Sequence, residues 1–199
     1  MRQDRGQTLP MYVVVVAGLL FLAFAYFAFA QAAAARNSGQ SAADAAALAA
    51  AQDGREVLTE GFFESLEVPE EWPAWLAGER DPGAGYGAAA SQLAGANDAD
   101  VASQGMTPSD GGYEFSVAVV TRGTVGDSVI PGTESTHAKA DATAAIESLC
   151  VVAPEGEEAD LIEIDCRGSG RWQIDPDTPV DEQDDLPEPK DLFSVHLVE

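Results

Sequence analysis

Residues 5–52 read "RGQTLPMYVVVVAGLLFLAFAYFAFAQAAAARNSGQSAADAAALAAAQ". The stretch begins with charge, turns wholly apolar, and then becomes alanine-rich with scattered polar residues. Met11 to Ala30 is a run of 20 residues without a charge. As a helix rising about 1.5 Å per residue it is about 30 Å long, one bilayer hydrocarbon core. Arg2 and Arg5 precede it; the next basic residue is Arg36, after which acids dominate. The positive-inside rule then predicts a cytoplasmic N-terminus over residues 1–10, a transmembrane helix over 11–30, and an extracytoplasmic remainder in the cell envelope. A secretory signal peptide has the same parts, with Ala28-Phe29-Ala30 as a small-x-small cleavage site before Gln31. That alternative releases a soluble, secreted acidic binding protein. Two features oppose it. The apolar run exceeds the about 7–15 residues usual for such a middle region, and helix-forming sequence continues past Ala30.

Residues 31–58 are mostly alanine, the best helix former. Together with the apolar run they predict one helix from about Leu9 to Leu58, roughly 75 Å long. Pro10 suits its first turn, where a missing N–H costs nothing. Arg36, Gln40, Asp44, Leu48 and Gln52 recur at i,i+4 and share one face. Small residues such as Ala43 and Ala47 allow another element to approach closely. An alanine-rich helix is marginal alone, so something packs on it. Arg36, Ala43, Asp44, Ala47 and Leu48 are the candidate packing residues. The pattern leaves open whether they face a partner helix or the chain's own core.

The net charge is −24. Residues 1–30 contribute +1 (Arg2 and Arg5 against Asp4), so the other 169 carry −25. Such a chain repels phosphate backbones, which argues against nucleic-acid partners. Residues 59–111 form an irregular segment with prolines, glycines and tryptophans, and a short helix over 87–97. Phe62, Phe63, Trp72 and Trp75 are expected to fasten it to the core. Residues 112–199 turn to strand patterns. "GYEFSVAVVTRG" (112–123) alternates Tyr113, Phe115, Val117 and Val119 with smaller or polar residues. "STHAKADATAAI" (135–146) sets His137, Lys139, Asp141 and Thr143 against alanines, a small inner face that leaves room for a helix across the sheet. Residues 148–152, 160–166, 170–175 and 192–198 read as further strands. The fold class is therefore α+β: a long N-terminal helix and a small antiparallel β-sheet domain.

Cys150 and Cys166 are the only cysteines. Downstream of an export-type segment, the pair predicts one disulfide. Residues 175–191, "DPDTPVDEQDDLPEPKD", predict a solvated acidic loop; it lacks the glycine and ligand spacing of a known calcium loop. No zinc-ligand spacing and no phosphate-cradling glycine loop occurs. A Cys–His nucleophile using Cys150 or Cys166 with His196 is formally possible, but an exported pair more often bridges. The expectation is a non-enzyme with no metal, cofactor or small-molecule substrate.

The ordered combination of Arg5-Gly6, the apolar run, "ARNSGQ" and "SAADAAALAAA" resembles the start of the TadE/TadG-like proteins of Flp (Tad) pilus assembly systems, especially the actinobacterial kind. The resemblance covers residues 5–52, about a quarter of the chain. It implies a pilin-like N-terminal helix, a single span, an extracytoplasmic domain, and partners among pilin-like or Tad-system subunits. In pilin-like precursors a peptidase cuts after a glycine just ahead of the apolar helix, which corresponds to Gly6 followed by Gln7. Such pilins usually carry Glu at the fifth mature position; Met11 stands there in this chain.

Overall fold

The computed structural model describes residues 8–124, 135–153 and 161–198. Helix α1 runs unbroken from Thr8 to Glu64, 57 residues, or about 85 Å. It outlasts the expected end at Leu58 by six residues because Phe62 carries the apolar pattern forward and is fully buried. A 3-10 turn at Pro69–Glu71 leads to α2 (Trp72–Leu76), and α3 spans Tyr86–Ala96. Strands β1 (Ala99–Ser109), β2 (Gly112–Thr124) and β3 (His137–Ser148) follow. Then come β4 (Cys150–Val152), β5 (Ile162–Cys166), β6 (Gly170–Ile174), α4 (Pro189–Leu192) and β7 (Phe193–Val198).

The strands make two antiparallel sheets, ordered β1-β2-β3-β7 and β4-β5-β6. The larger sheet buries one face beneath α1 and α3. Phe115, Val117 and Val119 point inward from β2, while Ser116 is exposed. This is the one-sided alternation of an antiparallel sheet wet on its other face. The second sheet separates where the chain leaves β3. Ser148 Oγ donates to the carbonyl of Leu76 there, and Leu149 N–H donates to the carbonyl of Leu192 at 2.9 Å. Ile162, Ile164 and Ile174 carry the same buried cluster into it.

The reading of residues 59–111 as irregular needs correction at both ends. Residues 59–64 belong to α1, and 99–109 form β1. "ADVASQGMTPS" has no alternation of large apolar residues, so its strand is imposed by pairing with β2. It is an edge strand, a place that tolerates Pro108. The four aromatics do fasten the segment. Phe62 is buried, Phe63, Trp72 and Trp75 pack against the core, and Trp72 Nε1 donates to the carbonyl of Ser65 at 2.9 Å.

Cys150 and Cys166 sit opposite each other on β4 and β5 and are joined by a disulfide. Both sulfurs being bonded, neither cysteine is available as a nucleophile toward His196, which overturns that arrangement. The bridge closes a loop with a separation of 16 residues. Replacing both cysteines by Ser is expected to cost about 3 kcal/mol on the chain-entropy account, measurable as a lowered urea midpoint.

The acidic segment 175–191 is tied to itself. The Asp175 carboxylate accepts from Thr178 Oγ1 at 2.8 Å and from the Asp177 N–H at 2.9 Å. Gln183 Nε2 donates to the carbonyls of Asp175 and Thr178, both at 2.9 Å. At α4 the Glu188 N–H donates to Asp191 Oδ2 at 3.0 Å. The hydrogen bond from Thr178 holds the Asp175 carboxyl below its ordinary range. Arg171, hydrogen-bonded through Nε at 2.8 Å, does the same for Asp165. A depressed folded-state value means stability that is present above the usual carboxylate range and lost as pH falls through the folded one. Domain stability is thus expected to drop below about pH 4. Arg171→Gln should flatten that drop and lower the melting temperature slightly at neutral pH, as thermal melts between pH 3 and 7 would show.

Candidate functional site: the two halves of the N-terminal helix

Helix α1 divides into a half that touches nothing else and a half held by the domain. From Met11 to Phe29 its large side chains stand in the open, with Phe21 at 72% and Tyr26 at 76% exposure. The most apolar window of the helix buries nothing, and α1 is long and apolar enough there to cross a membrane. Such exposure in water would be an aggregation liability.

The held half begins at Gly39. A side chain there would come within 3.5 Å of the Ala138 and Thr121 side chains. Ala42, Ala43, Ala46, Ala47, Ala50 and Ala51 are all 0% exposed. Alanine on more than one side is explained by packing on more than one side: α1 lies across β2 and β3 and also against α3. The alanines of β3 supply the matching small surface, as the period-2 pattern of residues 135–146 implies. Closeness peaks at two glycines. A Cβ on Gly54 would lie 2.7 Å from Phe115 Cζ, and one on Gly61 would collide with Cη2 and Cζ3 of the Trp75 ring. For Gly61→Ala, overpacking of about 1–3 kcal/mol opposes a gain of about 1 kcal/mol in helix propensity. A net loss is expected, accompanied by a changed near-ultraviolet signal from Trp75.

The five candidate packing residues thus separate. Ala43 and Ala47 belong to the chain's own core. Leu48 is half-buried against that core. Asp44 is half-buried and accepts from Gln40 Nε2 at 2.8 Å; the same nitrogen reaches the carbonyl of Asp141 at 3.3 Å. Arg36 is exposed, beyond the domain. Gly54 and Gly61 escaped the sequence reading, since their need is set by Phe115 and Trp75, distant in sequence. Gly6 and Gln7 lie outside the described residues. Ala30 and Gln31 lie inside the unbroken helix, Ala30 exposed and Gln31 half-buried. His137 is exposed, with Nδ1 2.7 Å from the carbonyl of Thr121.

Residues 6–53 match the family model "Putative Flp pilus-assembly TadE/G-like". No curated protein and no solved structure matches the chain. The TadE/G-like segment takes in the whole exposed apolar half and the alanine-rich turns as far as Asp53, one residue short of Gly54. It therefore ends inside the helix, part-way across the sheet. Everything from Gly54 onward, including both sheets, lies beyond the TadE/G-like match.

Proposed function

We propose that the chain is a single-pass, pilin-like membrane protein acting in assembly of a Flp/Tad-type pilus or a related surface secretion apparatus. The observation that carries this is the coincidence of the TadE/G-like match with an apolar half-helix that no part of the domain covers. The apolar half lies in the bilayer with residues 1–10 in the cytoplasm, by the charge asymmetry around the span. The domain, with its acidic surface and disulfide, stands outside, on the oxidising side. Its role is structural rather than catalytic. Partner subunits of the same apparatus meet the span and the exposed turns near Arg36, because Ala43 and Ala47 are committed to the chain's own core.

The test is the mature N-terminus, read by mass spectrometry from membrane and medium fractions of the native cell. A membrane-bound chain that begins at Met1 or Gln7 is the expected result. A chain in the medium that begins at Gln31 would replace this reading with that of a secreted acidic protein. Deleting the gene should then abolish pilus assembly or secretion, and a strain that still assembles its surface fibres would overturn the assembly role.

A further inference from the structure

We draw no further inference here: the strongest candidate, the apolar groove between α2 and the open edge of β4, lined by Pro73, Leu76, Leu149, Val151 and Arg167, carries none because nothing in the structure shows what covers it.

Discussion

Placing Trp at both Ala43 and Ala47 is expected to unfold the outer domain at ambient temperature. Each alanine is 0% exposed, on a helix flanked by β3 on one side and α3 on the other. Overpacking by a few methylenes costs about 1–3 kcal/mol. An indole in place of a methyl exceeds that at each site, and two sites one helical turn apart leave no slack for either. The sum approaches the about 5–15 kcal/mol of a typical domain. Loss of the near-ultraviolet signal of Trp72, Trp75 and Trp172 in urea-free buffer would show it. Ala33→Trp is the control, since Ala33 is exposed ahead of the domain; that variant should stay folded. If instead the Ala43/Ala47 variant keeps its fold and loses only association with other subunits, the two alanines face a partner, and the packing described here is wrong.

The same pair of residues shows how far a sequence can speak. Alanine spacing announces that α1 packs tightly somewhere, but alanine is small and apolar on every face. The direction of packing is decided by strands that arrive some eighty to a hundred residues later. Where side chains differ sharply, the pattern was enough. Phe115, Val117 and Val119 against Ser116 declare a half-buried strand, and the alternating alanines of β3 declare a sheet surface shaped for a helix. β1 carries no such contrast, and its strand exists because β2 offers a ladder. The division into two sheets was hidden for a related reason. It hinges on Ser148 and Leu149 bonding to Leu76 and Leu192, contacts between segments that no local periodicity records. The exposed apolar half was the most legible element, because length and the absence of charge alone define it.

That half carries the second large effect. Leu20→Arg with Phe24→Arg is expected to release the purified full chain from phospholipid vesicles in a flotation assay. Both side chains are more than half exposed and touch no part of the domain, so the domain should melt as before. Each arginine near the centre of a span costs about 2.5–3.5 kcal/mol on the insertion scale. Two cost about 5–7 kcal/mol, and each 1.4 kcal/mol is a factor of ten, so the membrane-bound fraction falls by roughly 10³–10⁵. Snorkelling reduces the cost for a residue near either interface, which is why positions near the middle of residues 11–30 are the informative ones. Vesicle binding that survives both substitutions would mean that the chain is held at the surface by its domain. The apolar half would then have to find its cover in other protein subunits rather than in lipid.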